Sequence, residues 1–439
     1  MDKRNGRRAS RLCVAGIVNH AVIANLSALL FVPFMRLYGF TYIRFGILTA
    51  AGFGAQVAAD LFLLFFISRI SSRLLVGAAS VASFAGLVFY GVSPWLFGGD
   101  ALFFGIIAAT ALFAFAGGTL EVVLSDLSES LPEKWGGIVL LHTVYAWALC
   151  ALALFLPVFM ACFGMENWNI AVLLLAAVPA WTGFSLIGVQ FPASSAPRAD
   201  ERMPEPAAEQ EGQAPCKRRG GQEQAARGRA GKRRASSFLS PFYLFAAAAV
   251  FFGCGAEAVM NQWVATYAAE LLGSEWGSAL GAALFALCLG GGGVLYVLRL
   301  RRKGVSFFLL VSSAAAAFVL YLLAALLPWR IPALVCAAAC GFFAGILSPG
   351  AMSAAAAGLP AAGGRMIAAL SVSQDVGAAL LPSAGSTIAE KFSVRSCFLV
   401  LSAAPLLAAA ALALMARAGR KAENFQRDRR NFSIRMRKR

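Results

Sequence analysis

The sequence predicts an all-α polytopic membrane protein with twelve transmembrane helices in two pseudo-symmetric bundles of six. Three observations predict this fold class. The chain is 59% hydrophobic with a mean hydropathy of +0.72, far outside the range of soluble globular proteins. Apolar stretches of about 20 residues, the length at which a helix crosses the hydrocarbon core of a bilayer, recur along the chain. A polar linker divides these stretches into two groups of six.

The first six spans are predicted at Leu12–Met35, Thr41–Ile67, Leu74–Val92, Ala101–Leu124, Ile138–Phe163 and Ile170–Val189. The second six are predicted at Phe242–Trp263, Ser278–Leu298, Val305–Leu327, Ile331–Ser353, Met366–Ala389 and Cys397–Met415. The basic start of the chain followed by an apolar run is typical of a signal peptide. The run is too long for that purpose and carries polar residues, so we expect it to be the first span.

The chain divides into five predicted segments. A basic N-tail covers residues 1–11, the two bundles cover 12–190 and 241–416, and a basic C-tail covers 417–439. Between the bundles, residues 191–240 are rich in Pro, Glu, Gln, Gly and Arg, a composition that cannot bury a core. We expect this linker to be disordered, and the two bundles to be structural repeats of nearly equal length.

The distribution of basic residues predicts the orientation. With the N-terminus inside, 33 of the 38 Lys and Arg residues fall on the cytoplasmic side, and the exceptions are Arg36, Arg44, Arg330, Lys391 and Arg395. The positive-inside rule therefore predicts two cytoplasmic termini. We expect a bacterial inner-membrane protein whose basic tails contact anionic lipid headgroups rather than nucleic acid.

Sequence motifs of enzymes are absent. The chain contains no H-E-x-x-H, no G-x-S-x-G and no Walker phosphate loop, which argues against the corresponding hydrolases and against an ATP-driven pump. Eight of the nine cysteines lie in apolar runs without the spacing of a metal site, so we interpret them as packing residues. We expect no enzymatic activity, no cofactor and no metal.

Four acidic residues within the predicted spans require an explanation, namely Asp60, Glu121, Glu257 and Asp375. An ionised side chain in the middle of a bilayer costs about 2.5–3.5 kcal/mol on insertion scales. Few bases are available within the spans to pair with them. Some of these acids should therefore be protonated, or should face water or a bound solute.

Glu121 is the strongest candidate for carrying a proton. It follows Gly117 and Gly118, where the lack of side chains lets a neighbouring helix or a solute approach closely. His142 and Tyr145 follow one span later. A carboxyl group in such a cavity could take up a proton from one side and release it to the other. The alternative is a structural role in which Glu121 bonds across a pair of helices.

Glu257, Asn261 and Trp263 form a candidate solute site in the seventh span. Glu257 and Asn261 are four residues apart and share a helix face. A carboxylate and an amide bind hydroxyl groups, and an aromatic ring packs on the C–H face of a sugar, so this set suits a polyol. The alternative is a capped helix end whose tryptophan belongs to the interfacial belt.

Further polar residues on apolar helices complete the candidates. We assign His142 and Asp60 to proton coupling together with Glu121, and Arg69 and Arg73 to a gating loop. Candidates for solute binding, besides the seventh-span set, are Asn19, Asn25, Tyr145, Gln374 and Asp375. His20 and Asn25 do not share a helix face, so we expect at most one of them to face a central cavity.

Two segments carry a resemblance to a known family. These are Gly117–Val122 leading to Leu141–Tyr145, and Gly255–Trp263. With the arrangement of six plus six spans, the chain resembles the major facilitator superfamily. More narrowly, the two segments are similar to the fucose-type sugar/proton symporter branch and its uncharacterised clostridial relatives.

The resemblance implies a rocker-switch cycle around a midplane cavity lined by spans 1, 4, 7 and 10. In the fucose-type branch, a fourth-span glutamate and a first-span aspartate couple the sugar to protons, and Glu121 matches the former. Span 1 has no acid here, so coupling through one carboxylate and facilitated diffusion both remain open. Only the basic part of the usual loop signature after span 2 is present, as Arg69 and Arg73, which implies a modified gate.

We therefore predict a monomeric secondary transporter of a small solute, most in keeping with a sugar or polyol, that is coupled to protons. One alternative is a proton-coupled drug or metabolite exporter of the same fold. A second is a membrane sensor or scaffold that works through the linker and the basic tail.

Overall fold

The structure is a computed structural model, and it describes residues 3–67, 69–129, 131, 137–191, 240–303, 306–358 and 363–437. All regular secondary structure in these ranges is helical. Residues 192–239, which make up nearly all of the predicted linker, lie outside the described ranges.

Six helical spans form the N-terminal half. They are Lys3–Leu29 continued by Phe31–Tyr38 (span 1), Tyr42–Phe66 (span 2), Ser72–Leu96 (span 3), Gly99–Glu129 (span 4), Ile138–Phe163 (span 5), and Trp168–Leu175 with Ala177–Ser185 (span 6). Spans 2 and 3 begin at N-caps, because the hydroxyls of Thr41 and Ser71 accept hydrogen bonds from N–H groups of the first turn.

Six more spans form the C-terminal half. They are Pro241–Leu272 (span 7), Glu275–Lys303 (span 8), Phe307–Leu326 (span 9), Arg330–Ala344 with Leu347–Gly358 (span 10), Gly363–Lys391 (span 11), and Val394–Leu401 with Ala403–Arg437 (span 12). Span 7 begins with Ser240 as its N-cap and Pro241 in its first turn, the position at which proline favours a helix start.

The predicted fold class is confirmed, and the chain is a multi-pass membrane protein. Eleven of the described helical spans are long and apolar enough to cross a membrane. Span 11 is the twelfth, with 29 residues, and it is less apolar because it carries Ser371, Gln374, Asp375 and Ser383. Spans 1 and 12 extend into the predicted tails, because helical hydrogen bonding continues beyond the lipid whereas hydropathy reports only the apolar part.

The two ends of the bundle can be identified from contacts near the linker. The side chain of Asn5 donates a hydrogen bond to the carbonyl of Gln190 (2.8 Å) and accepts one from its N–H (2.9 Å). The start of span 1 therefore lies beside the chain that follows span 6. We call this end of the bundle the linker end, and the end that carries Tyr38 and Tyr42 the far end.

The two halves meet along two helix pairs, span 2 with span 11 and span 5 with span 8. In the first pair, Gly46 lies against span 11, where the hydroxyl of Ser383 donates to its carbonyl at 3.3 Å. A side chain on Gly46 would overlap the hydroxyl of Ser386. In the second pair, Gly293 lies against Thr143. Glycine thus allows the two helices of each pair to approach each other closely. Polar side chains of both halves come together in the space between the two pairs.

Candidate functional site

Glu121 in span 4 is bonded to residues from both halves. Its Oε2 lies 3.2 Å from Nε2 of His20 in span 1. Its Oε1 accepts a hydrogen bond of 3.1 Å from the side-chain amide of Gln374 in span 11. The hydroxyl of Ser348 in span 10 donates to the oxygen of that amide at 2.8 Å, so the NH₂ group of Gln374 is turned towards Glu121. The carboxylate therefore contacts both halves of the protein.

Two glycines place Glu121 in this position. A side chain on Gly117 would meet Ile23 and the ring of His20 in span 1, and a side chain on Gly118 would meet the backbone of Gln56 in span 2. Span 4 therefore packs against spans 1 and 2 at the distance that glycine allows. This close packing brings the imidazole of span 1 within reach of the carboxylate one turn further along span 4.

A second set of hydrogen bonds crosses between the halves through Asn25. Its side-chain NH₂ group donates to the hydroxyl of Tyr145 in span 5 at 2.7 Å. Its side-chain oxygen accepts a hydrogen bond of 2.5 Å from Asn261 in span 7. Asn25 thus links spans 1, 5 and 7, and three of the predicted solute-binding residues lie together.

His20 and Asn25 of span 1 both contact Tyr145 of span 5, although they do not share a helix face. The ring of His20 lies 5.6 Å from the ring of Tyr145, and Asn25 bonds to the hydroxyl of the same tyrosine. The two residues of span 1 point in different directions from the helix axis. They nevertheless meet one partner, because the long side chain of Tyr145 lies across the face of span 1.

A narrow cavity opens beside these bonds, between the two halves. Its polar walls come from both halves, and its apolar wall comes from spans 8 and 10. The lining residues are His142, Thr143, Tyr145, Glu257, Leu289, Gly293, Tyr296, Gly345, Ile346 and Pro349. The structure thus brings the predicted residues His142, Tyr145 and Glu257 to one cavity. His142 is also near enough to Glu121 for their charges to interact.

Asp60 and Asp375 lie deeper, where span 2 packs against span 11. Their side chains are 2% and 3% exposed, and one carboxyl oxygen of each has no hydrogen-bond partner among the described residues. Both are close enough to Glu121, and to each other, for their charges to interact. Three acids from spans 2, 4 and 11 therefore share one buried region.

Trp263 lies away from the cavity, at the far end. Its fully buried ring packs edge-on against three aromatic residues of the N-terminal half, with centroid distances of 6.3 Å to Phe31, 5.5 Å to Tyr42 and 5.6 Å to Phe45. The neighbouring Gln262 donates a hydrogen bond to Thr49 in span 2. The turn of span 7 that begins at Asn261 therefore packs against the N-terminal half and closes the gap between the two halves at the far end.

Three further predicted residues lie outside this cluster. Asn19 is fully buried, and neither atom of its amide group has a hydrogen-bond partner within the described ranges. Arg69 and Arg73 are exposed at the linker end, where the guanidinium of Arg69 lies 6.0 Å from the ring centre of Phe66. The structure thus places the predicted gating arginines on the surface between spans 2 and 3.

The cysteines and acids of the described ranges offer no metal centre. The eight described cysteines carry free thiols. No group of three or more His, Cys, Asp or Glu residues in the searched part of the chain is arranged to hold a metal ion.

Sequence reasoning did not identify every residue of the site. His20 was not among the predicted coupling or binding residues, yet it is the ring that contacts Glu121. Ser348, which orients Gln374, and Tyr296, which lines the cavity, were not predicted. Tyr296 is an isolated polar aromatic residue in the apolar sequence of span 8, and only this isolation could have marked it as a site residue. A serine in an alanine-rich helix carries no signal.

Comparison with known proteins gives information on the fold of this chain. No family model and no curated protein matches the sequence. Among solved structures, a variant of the fucose:proton symporter FucP of Escherichia coli is similar, with a TM-score of 0.61 at 13% identity, over 92% of this chain and 98% of that chain. A structure of the major facilitator transporter FucP in the outward conformation gives 0.60 at 13% identity, with the same coverage.

A variant of the nucleoside transporter NupG has a TM-score of 0.61 at 12% identity, over 94% of this chain and 99% of that chain. These likenesses extend over nearly the full length of each chain, and at this level of identity they report on the fold. The chain therefore has the fold of the major facilitator superfamily transporters, as its resemblance to the fucose-type branch implies.

Proposed function

We propose that this protein is a secondary active transporter that moves a small polyhydroxylated solute, a sugar or related polyol, in symport with protons by alternating access. The observation that carries the proposal is the position of Glu121, which contacts His20 in its own half and Gln374 in the other half. The solved structures with the same fold support the class, since they are described as a fucose:proton symporter and a nucleoside transporter.

Glu121 would couple proton binding to the movement of the two halves. As a carboxylate, it accepts hydrogen bonds from the imidazole of His20 and from the amide of Gln374. Such charge-assisted bonds are about twice as strong as neutral ones. A proton on Glu121 removes its charge and one acceptor site, which weakens the bond to Gln374. Protonation therefore lowers the free energy needed to separate the halves at this point.

The solute would bind where Asn25 and Asn261 now contact each other. Their hydrogen bond crosses between the halves next to the cavity that holds Tyr145 and Glu257. Hydroxyl groups of a polyol can replace this amide pair on both sides, because each amide offers a donor and an acceptor. Exchange of one set of hydrogen bonds for another keeps the net cost of binding low.

Proton movement in proteoliposomes tests this function. A panel of hexoses, deoxyhexoses and small disaccharides is added to vesicles that contain the wild-type protein, Glu121→Gln or the exposed control Glu166→Gln. We expect sugar-dependent alkalinisation of the medium with the wild type and with Glu166→Gln. Glu121→Gln should lose uphill accumulation and retain part of the exchange activity. Uphill accumulation that is unchanged in Glu121→Gln would exclude the coupling role.

A second candidate is a proton-coupled exporter of apolar metabolites or drugs. One observation favours it, because Leu289, Ile346 and Pro349 form an apolar wall of the cavity. This reading predicts no proton movement with any sugar of the panel and proton-driven efflux of apolar compounds from the same vesicles. Efflux of a fluorescent lipophilic dye measures this directly.

We also propose that the linker end faces the bacterial cytoplasm and that the protein acts as a monomer in the inner membrane. Arg69 and Arg73 are exposed at the linker end, in agreement with the positive-inside rule and with contact to anionic headgroups. Labelling of single cysteines with a membrane-impermeant reagent in intact cells tests the orientation. Residues of the far end should react, and residues of the linker end should not.

A further inference from the structure

Glu257 in span 7 lines the cavity between the two halves, and among the described residues it has no hydrogen-bond or ion-pair partner. It lines the cavity together with His142, Tyr145 and Tyr296. It makes no hydrogen bond or ion pair with any residue that the structure describes, unlike Glu121, which contacts His20 and Gln374. A carboxylate within a membrane span is costly unless it is paired. A cationic group on a bound solute would supply the missing partner.

Two tyrosines share the cavity with this carboxylate. Tyr145 and Tyr296 line the same cavity from opposite halves. Tyr296 is 3% exposed, and its hydroxyl has no hydrogen-bond partner among the described residues. A buried hydroxyl without a partner costs free energy, so this group, too, is available for a ligand. Aromatic rings beside a carboxylate form the kind of site that binds organic ammonium groups.

The ionisable side chains in the interior of the described spans are mainly acidic, as Glu257 is. Four acids occupy the interior of the described spans, and two histidines are the only basic groups there, one of which is held by Glu121. The lysines and arginines whose side chains are described lie near the ends of the spans, as Arg8, Arg44 and Arg395 do. A cavity with acids and without a fixed cation repels anionic solutes and attracts cationic ones.

We propose that Glu257 binds a protonated amino group of the solute, so that the transported compound is a small polyhydroxylated amine, such as an amino sugar, rather than a neutral sugar. This inference rests on the proposed function and names its substrate class. An ammonium group has three donors. It can pair with the carboxylate of Glu257 and with the hydroxyl of Tyr296, while the amides of Asn25 and Asn261 remain for hydroxyl groups.

Binding to the purified full-length protein in detergent tests the inference without relying on proton coupling. D-galactosamine and D-galactose, which differ at one substituent, are titrated against the wild type, Glu257→Gln, Glu257→Asp and the exposed control Glu166→Gln. A hydrogen bond to a charged group corresponds to a factor of about 10 or more in affinity. We therefore expect the wild type and Glu166→Gln to bind galactosamine at least about 10-fold more tightly than galactose.

The two substitutions at Glu257 separate charge from shape. Glu257→Gln keeps the size of the side chain and removes its charge, so the preference for galactosamine should fall to about 1-fold. Glu257→Asp keeps the charge and should retain a preference. It also serves as the test if the glutamine variant does not fold. Tyr296→Phe, which removes the unpartnered hydroxyl, should weaken galactosamine binding more than galactose binding.

Three results would overturn the inference. One is equal affinity of the wild type for the two sugars, another is a preference that persists in Glu257→Gln, and the third is failure of the folded wild type to bind galactosamine. None of these would exclude the proposed function by itself, because Glu121-dependent proton movement with a neutral sugar would remain as its own test. Loss of that proton movement with all sugars, amino sugars included, would overturn both.

Discussion

The hydroxyl of Tyr42 donates a hydrogen bond of 2.7 Å to the carboxylate of Glu270, and the backbone N–H of the same tyrosine donates one of 2.9 Å to Glu390. Tyr42 belongs to span 2, whereas the two glutamates belong to spans 7 and 11. One residue thus ties both halves together at the far end, directly beside the aromatic cluster around Trp263. In a transporter, these contacts would have to break whenever the far end opens.

Loss of the Tyr42 hydroxyl should favour opening of the far end. Tyr42→Phe keeps the ring that packs on Trp263 and removes the bond to Glu270. A bond of this kind contributes about 0.5–1.5 kcal/mol, and 1 kcal/mol changes an equilibrium by about 5-fold. A single cysteine at Thr49, in a background without native cysteines, should react several-fold faster with a membrane-impermeant maleimide.

Tyr38→Phe is the matched control for this experiment. The hydroxyl of Tyr38 accepts a hydrogen bond of 3.0 Å from Trp168, and both residues lie in the N-terminal half. Its removal does not affect contacts between the halves, so the labelling rate should stay at the starting value. Equal rates in the two tyrosine variants would contradict a gating role of Tyr42.

A side chain at position 46 should prevent closure of the far end. Gly46→Ala places a methyl group where the hydroxyl of Ser386 lies, so spans 2 and 11 cannot approach as they do here. We expect faster maleimide labelling at the far end and loss of net solute uptake. Ser386→Gly in the same chain removes the obstructing side chain and should restore uptake. If the double variant is no better than Gly46→Ala, the steric explanation is wrong.

Replacement of Asp375 by asparagine should stabilise the protein. Asp375 is buried close to two other acids, Asp60 and Glu121. A carboxyl group in this place must either carry a charge that its neighbours repel or take up a proton from a solution at pH 8, and both cost free energy. Asparagine has the same shape without an ionisable group. The Asp375→Asn variant should unfold at a higher temperature than the wild type in detergent at pH 8, as followed by tryptophan fluorescence. A lower unfolding temperature would show that the carboxylate has a stabilising partner.

Tyr321→Phe should lower stability without changing solute binding. The hydroxyl of Tyr321 in span 9 donates a 2.5 Å hydrogen bond to the carbonyl of Ala256 in span 7. This buried bond contributes about 0.5–1.5 kcal/mol, and it holds the backbone next to Glu257 from outside the cavity. The unfolding temperature should fall, and the ratio of galactosamine to galactose affinity should match that of the wild type. A changed ratio would show that Tyr321 also positions Glu257.

The positions of the spans could be predicted because hydropathy is a local property. A helix in lipid satisfies its backbone hydrogen bonds within its own segment, so each span is visible in about 20 consecutive residues. Glu121 and Glu257 could be identified in the same way, since an acid stands out in an apolar segment whatever the position of that helix in the bundle. Hydropathy could not predict that the helix of span 1 begins at Lys3, because helices continue beyond the apolar layer.

The partners of these residues could not be predicted in the same way. His20 and Glu121 are about a hundred residues apart, and Glu121 and Gln374 come from different halves. Whether two such side chains meet depends on how each helix is rotated and how closely it approaches its neighbours. The rotation of span 7 sends Trp263 to the far-end cluster and leaves Glu257 at the cavity, although both lie within two turns of one helix.

The amino-acid sequence by itself determined that the chain forms twelve membrane spans in two halves, and which few polar groups those spans carry. Both properties follow from the cost of exposing polar groups to lipid, which acts on each segment separately. Only the tertiary structure decided that Glu121 joins the two halves, that Asn25 bridges Tyr145 and Asn261, and that Glu257 has no hydrogen-bond partner within the described ranges. These relationships depend on the packing of helices at glycines such as Gly46, Gly117 and Gly118, which is a property of the assembled bundle.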